Sequence, residues 1–181
     1  MKKEIFNIAI TSCLIFLLNV QIQAQEFNEL DKSPHDIVYF RENKISPPSI
    51  KVLYGRPQIK GRDINKNLIP NGKIWRVGAN EATEVKFYTD VTFGGKKVKA
   101  GSYVLYAIPQ EKEWILILNS NLDVWGSYEY EEKYDIARAK AKVSKAEPLE
   151  AFTIGFKEKG NHVNMVLGWD TKRVTVPIRI N

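Results

Sequence analysis

The sequence predicts an all-β protein, a two-sheet β-sandwich with a closed barrel as the runner-up, carrying one long ordered loop. Three observations lead there. Short runs rich in β-branched and aromatic residues recur between turn signals: 50–54, 84–88, 91–93, 96–98, 103–108, 114–118, 136–143, 152–157, 163–169 and 173–180. No long window holds a helical period of about 3.6 residues. Two runs, Tyr103-Val104-Leu105-Tyr106-Ala107-Ile108 and Trp114-Ile115-Leu116-Ile117-Leu118, are apolar on both faces, so both faces must be covered and the strands belong in the middle of a sheet.

Taken in order, residues 1–24 have the pattern of a secretory signal: Lys2 and Lys3, an apolar run over 8–20, and Ile22-Gln23-Ala24 ending on a small residue before Gln25. Thr11, Ser12 and Asn19 interrupt the run, which is shorter than the roughly 20 apolar residues a spanning helix needs, so no membrane span is expected after cleavage. The one cysteine, Cys13, lies inside that run rather than closing it, which argues against a lipid anchor. The mature chain, 25–181, then has no cysteine, which excludes disulfides, thiolate metal sites and cysteine nucleophiles. A periplasmic or secreted location follows, and mass spectrometry of the exported chain should find it starting at or near Gln25.

Residues 25–45 are polar and aperiodic and are expected to be a flexible arm, with Ser46-Pro47-Pro48 marking entry to a single domain over 46–181. Gly94-Gly95 between two short strands is a two-residue hairpin turn, and Asp170-Thr171-Lys172 is expected to be another turn. In 136–143 the alternation is clean: Ala137, Ala139, Ala141 and Val143 on one face, Arg138, Lys140 and Lys142 on the other. The aromatic loop 123–135 either covers the outer face of the two central strands or presents a platform for sugar rings.

Charge narrows the partners. The chain carries 27 basic and 21 acidic residues, a net charge of +6. Without Lys2, Lys3 and Glu4 this becomes about +5, scattered among acids rather than gathered in a stripe, so no nucleic-acid partner is expected. His35 and His162 have no second ligand at metal-site spacing, so neither a metal nor a cofactor is expected. Ser102 and Ser127 lack the context of an activated nucleophile.

The distinctive stretch is 54–83, about thirty residues too rich in glycine, proline and polar groups for a ladder, and a loop of that length is more often functional than not. Arg56, Arg62 and Arg76 offer guanidinium forks suited to carboxylate, sulfate or phosphate. Trp75 offers an apolar plate, with Asn80 and Glu81 as polar partners for a sugar ring. Equally, an Arg-Asn-Glu network can serve only to satisfy an ordered loop, with Glu81 neutralising a buried arginine. Three functions stay open: a binding module for a saccharide or small anionic ligand using these six residues; a structural or protein-interaction module without a ligand; and a hydrolase or lyase with Glu81 as general base and an arginine stabilising negative charge, while Glu81 with Asp63 or Asp135 could also form a glycosidase-like carboxylate pair.

Tyr54-Gly55-Arg56-Pro57, Lys60-Gly61-Arg62, the segment Trp75-Arg76-Val77-Gly78-Ala79-Asn80-Glu81-Ala82-Thr83, Ala100-Gly101-Ser102-Tyr103, Ile108-Pro109, Trp114, Asn119 and Trp125-Gly126 together resemble the secreted Bacteroidetes family known as domain of unknown function 2911. The resemblance spans 46–180. It implies export and a β-rich single domain, and it brings no catalytic residues with it.

Overall fold

The computed structural model describes residues 26–181, so the expected signal segment and Cys13 lie outside the described residues. Residues 26–30 carry no regular secondary structure, and every strand falls within the unit 31–181. Nine strands occur there in chain order: β1 His35–Phe40, β2 Ile50–Gly55, β3 Glu84–Phe87, β4 Val91–Phe93, β5 Lys96–Val98, β6 Gly101–Ile108, β7 Glu113–Asn119, β8 Asp135–Lys159 and β9 His162–Ile180. Besides these, the described residues hold a π turn, Ile64–Leu68, and a 3-10 turn, Glu132–Tyr134. The class is all-β, as expected.

The strands hydrogen-bond into one open antiparallel sheet in the order β1-β2-β3-β6-β7-β8-β9-β4-β5. Two packed layers exist, but they are halves of this one sheet rather than separate sheets. The cause lies in β8 and β9. The runs 136–143 and 152–157 are parts of one strand of 25 residues, and 163–169 and 173–180 are parts of one strand of 19. The first part of β8 pairs with β7, whereas from Val143 onward it pairs with β9. The register shifts on both sides of Leu149, and Asp170 bends with φ 46° in place of the expected turn. Bulges of this kind turn a strand without ending it. Arg173 holds the bend by donating to the carbonyls of Asp170, Lys172 and Glu147.

Folding at that bend brings the layers face to face. Tyr54 of β2 meets Phe152 of β8 edge-on at 5.8 Å, and Phe40 of β1 meets Phe156 at 5.9 Å. One continuous core results, with Val52, Val85, Leu105, Leu116, Ala139, Phe152, Leu167, Trp169 and Val176 all buried. Each fully buried aliphatic or aromatic side chain contributes about 1.5–3 kcal/mol relative to exposure.

Residues 35–40, expected to be part of a flexible arm, form β1 and pair along their whole length with β2, His35 opposite Gly55 through Phe40 opposite Ile50. Ile37 and Tyr39 stay substantially exposed, so this edge strand lacks a strong alternation for a sequence pattern to detect.

The two-faced strands behave as their pattern requires. Leu105, Ala107, Leu116 and Leu118 enter the main core, while Val104, Tyr106 and Ile117 form a second small cluster on the opposite face. Val124 completes that cluster, with Ile74, Ala82 and Tyr130 packed against it. The cover therefore comes from the 54–83 excursion and from the loop after β7 together. A polar knot anchors the latter: the buried Asn119 and the Tyr130 hydroxyl both donate to the Asp135 carboxylate, and Arg138 donates to that carboxylate and to the Tyr130 oxygen.

Alternation in the first part of β8 also holds. Ala137, Ala139 and Ala141 are buried, and Lys140 and Lys142 are exposed. Gly94 explains why Ala139 is small, since a Cβ built there would lie 2.2 Å from the Ala139 Cβ. We therefore expect Ala139→Leu to cost about 1–3 kcal/mol by overpacking. Lys140→Leu should change stability by less than about 1 kcal/mol, losing only an exposed ion pair to Glu113. Equal shifts in a denaturant titration would contradict the assignment of faces.

Tyr106 sits in the second cluster with its hydroxyl buried and unpartnered. Burial first, then Glu129 and Asp135, push its pKa up to about 12. Burial, followed by the hydrogen bond to Asp135, pushes Tyr130 up to about 12 as well. Both phenols are raised in the fold, so their contribution is full below the unfolded value near 10 and is lost as pH rises through about 12. Tyr106→Phe removes an unsatisfied hydroxyl, and should leave the denaturation midpoint at neutral pH equal or higher while flattening its alkaline decline. A lower midpoint at neutral pH would show that the hydroxyl has a partner.

Candidate functional site

The motif-rich stretch is held by a close approach of two backbones. A Cβ on Gly55 would lie 2.2 Å from the Ala79 carbonyl oxygen, and one on Gly78 would lie 2.9 Å from the Gly55 carbonyl oxygen. Only glycine lets the end of β2 and the 76–82 turn nest this tightly. The turn itself needs φ of 57° at Val77 and 62° at Asn80, conformations that carry strain for non-glycine residues. Surrounding bonds impose them: the buried Thr83 donates its hydroxyl to the Val77 carbonyl at 2.6 Å and its amide to the Arg76 carbonyl.

The same segment extends the sheet alongside β6. Trp75 and Ala107 exchange both backbone hydrogen bonds, and the Leu105 amide donates to the Thr83 carbonyl. Trp75 is thereby driven inward, 4% exposed, stacked on Trp169 at 6.2 Å and edge-on to Trp114 and Phe152. It is a core residue, and no broad face of it is available as a sugar plate.

Arg56 also turns out to hold the fold. Its guanidinium donates to the Phe152 carbonyl, the Thr153 hydroxyl and the Asp36 carboxylate. With Pro57 accepting from the Phe152 amide and Glu150 accepting from the Ile59 amide, it fastens the chain after β2 to the bend of β8. Each of its three nitrogens donates within the protein.

Glu81 departs from expectation in its partner. It pairs with His35 at 3.0 Å, both side chains well exposed, and among the described residues it makes no ion pair with an arginine. Around a hollow of about 460 Å³ its titratable neighbours are His35, Glu84 and Asp123, and Leu53, Ala82, Val104 and Val124 line the rest. Asp63 and Asp135 are engaged elsewhere. Asp63 caps the π turn through the Asn65 and Lys66 amides, and Asp135 is saturated in the knot described above. The expected carboxylate pair is therefore not assembled.

Four of the six candidate residues do converge. Arg62, Arg76 and Asn80 line a cleft of about 630 Å³ whose inner wall includes the edges of Trp75 and Trp169. Lys66 and Lys73 add two more cations, Ser33, Asn67 and Ser127 add neutral polar groups, and Tyr128 stands at the side. Among the described residues no carboxylate lines it. Arg62 is set by donating to the Gln58 and Ile59 carbonyls, and among the described residues no carboxylate pairs with it. Lys66 has only a loose contact with Asp63 at 3.9 Å.

Arg76 is the most unusual member. It is half-buried, its Nε is buried without a hydrogen-bond partner, and no ion pair compensates it among the described residues. Desolvation pushes its pKa down from the ordinary guanidinium value, opposed by the nearby Tyr128. Arg76 is thus a half-desolvated cation in a cleft whose lining residues include no carboxylate. Asn80 serves the frame as well: its amide and, more strongly, the Ser33 backbone N–H hold the Asp31 carboxyl below the usual range.

Sequence reasoning missed Lys66 and Lys73. Lys73 lies within the motif stretch and could have been weighed with its arginines, but Lys66 reaches the cleft only through the π turn, a local structure without a hydrophobic period. A larger hollow of about 710 Å³, between the π turn and the β8–β9 bend, is also cationic, with Lys112, Lys145 and Lys172, but it holds a carboxylate, Glu111, among its lining residues.

If the motif is an interlock of backbones, Gly55→Ala should destabilise by about 1–3 kcal/mol. Glu81→Gln, which loses only an exposed pair with His35, should cost less than about 1 kcal/mol. A larger loss for Glu81→Gln than for Gly55→Ala in chemical denaturation would reverse these roles.

The family described as "Protein of unknown function (DUF2911)" matches residues 33–178, which takes in β1 as well as the motifs. No curated protein and no solved structure matches the chain.

Proposed function

Because the chain belongs to this family, whose description carries no activity, we propose from geometry that it is a binding module for a small anionic ligand taken into the cleft of Arg62, Lys66, Lys73 and Arg76. The observation that carries this is the state of Arg76. Its charge is partly withdrawn from water, its Nε is orphaned, and no acid lines the cleft around it. A protein that needed this side chain only as scaffold would be expected to satisfy it, as it does Arg56, Arg138 and Arg173. A carboxylate, sulfate or phosphate oxygen supplies both the charge and the acceptor that are lacking. Asn80 and Ser127 are neutral groups suited to neighbouring hydroxyls. The basic and then apolar start of the sequence supports export, and the ligand would then be met in the periplasm or outside the cell.

Arg76→Gln tests this in two ways. Titration with inorganic sulfate by calorimetry should show affinity falling by about 10-fold or more, the loss of one charge-assisted hydrogen bond. Stability without ligand should be unchanged or improved, because an uncompensated, half-desolvated charge is removed. Unchanged sulfate affinity, or a large loss of stability without ligand, would return Arg76 to the scaffold.

A further inference from the structure

The aromatic pair beside the cleft extends its chemistry. Tyr128 lines the cleft and is 80% exposed, and Trp125, 56% exposed, stacks on it at 5.7 Å with the rings 5° from parallel. Their exposure does not come from an untethered loop. Trp125 forms an isolated antiparallel bridge with Glu81, the Gly126 amide donates to the Asn80 carbonyl, and the Ala82 amide donates to the Val124 carbonyl. Gly126, with φ 71°, leaves the space into which the Tyr128 ring folds; a Cβ there would lie 2.9 Å from the ring and 3.9 Å from Nη1 of Arg76. The pair is thus pre-positioned, with Tyr128 beside Arg76.

Other exposed tyrosines differ. Tyr39, Tyr88 and Tyr134 each have a cation over the ring, Arg41, Lys86 and Lys133 respectively. Among the described residues no cation covers Trp125 or Tyr128, whose contact is with each other. Two rigid aromatic rings offered to solvent beside a cationic cleft match a ligand with an apolar C–H face and an anionic substituent. A bare inorganic anion has no use for the rings, and a neutral sugar none for the cations.

Resting on the cleft as an anion site, we infer that the ligand is an acidic saccharide, its carboxylate or sulfate ester held by Arg76 with Arg62 and Lys73, and a pyranose ring of the same chain laid against Trp125 and Tyr128. The ring geometry sets orientation, and the cations select charge.

Calorimetric titration with four probes tests this: inorganic sulfate, a galacturonate tetrasaccharide, a sulfated galactose tetrasaccharide, and the neutral galactose tetrasaccharide. At least one acidic tetrasaccharide should bind about tenfold tighter than sulfate and than the neutral sugar, and the better of the two identifies the anionic group. Trp125→Ala, outside the cleft lining, should remove that advantage and leave sulfate affinity unchanged, Tyr128→Ala should also remove the advantage, Trp125→Phe should restore part of it, and Arg76→Gln should weaken both sulfate and acidic sugar. If sulfate binds through Arg76 but neither acidic sugar exceeds it, or the aromatic variants are without effect, the saccharide inference is overturned while the anion site stands. Tight binding of the neutral sugar would also overturn it. If no anion binds at all, the anion site fails and the inference with it.

Discussion

The nesting of Gly55 against Gly78 and Ala79 is the contact on which the rest of the site depends. Two stretches of backbone approach more closely than any Cβ would permit, so the excursion after β2 is drawn back onto the sheet it left. Once there, Trp75 has no place except the core, and Arg76, its neighbour in sequence, is pointed the other way into the cleft. The strained torsions of Val77 and Asn80 are stabilised by the bonds of Thr83 on one side and Gly126 on the other. A motif that resembles a set of ligand-binding side chains is therefore, to a large extent, an instruction for packing backbone on backbone. The proposed anion site draws only on those side chains that the packing leaves over.

That division separates the arginines. Arg56 reaches across to β8 and finds a carbonyl, a hydroxyl and a carboxylate, so each of its nitrogens is engaged by the protein. Arg173 plays the same part at the bend of β8 and β9, and Arg138 in the knot around Asp135. Arg76 does not. Among the partly buried arginines, it alone has a buried Nε without a hydrogen-bond partner among the described residues, and a buried donor left so is costly.

Two features of the fold lie beyond local pattern for the same physical reason. The flexible arm proved to contain an edge strand, and the separate sheets proved to be one sheet, because both features are set by pairing between distant segments rather than by local pattern. His35–Phe40 pairs fully with β2, yet its side chains are only partly buried, so its alternation is faint. The bend at Leu149 and Asp170 looks locally like a pair of turns, and only the register across β8 and β9 shows that the ladder runs on.

Sequence by itself determined the all-β class, the central place of β6 and β7, the inward alanines of β8, the Gly94-Gly95 turn and the family. These depend on side-chain periodicity, on glycine torsions and on motif spacing, all of which are written locally along the chain. The same reading collected Arg62, Trp75, Arg76 and Asn80 as neighbours, and they are neighbours. Tertiary structure alone decided that Trp75 is core, that Arg56 is a clamp, that Glu81 pairs with His35 and that Lys66 and Lys73 join the cleft. The reason is that a charged or aromatic side chain has no intrinsic role: whether it binds a ligand or its own protein is decided by which donors and acceptors distant segments bring within about 3 Å of it.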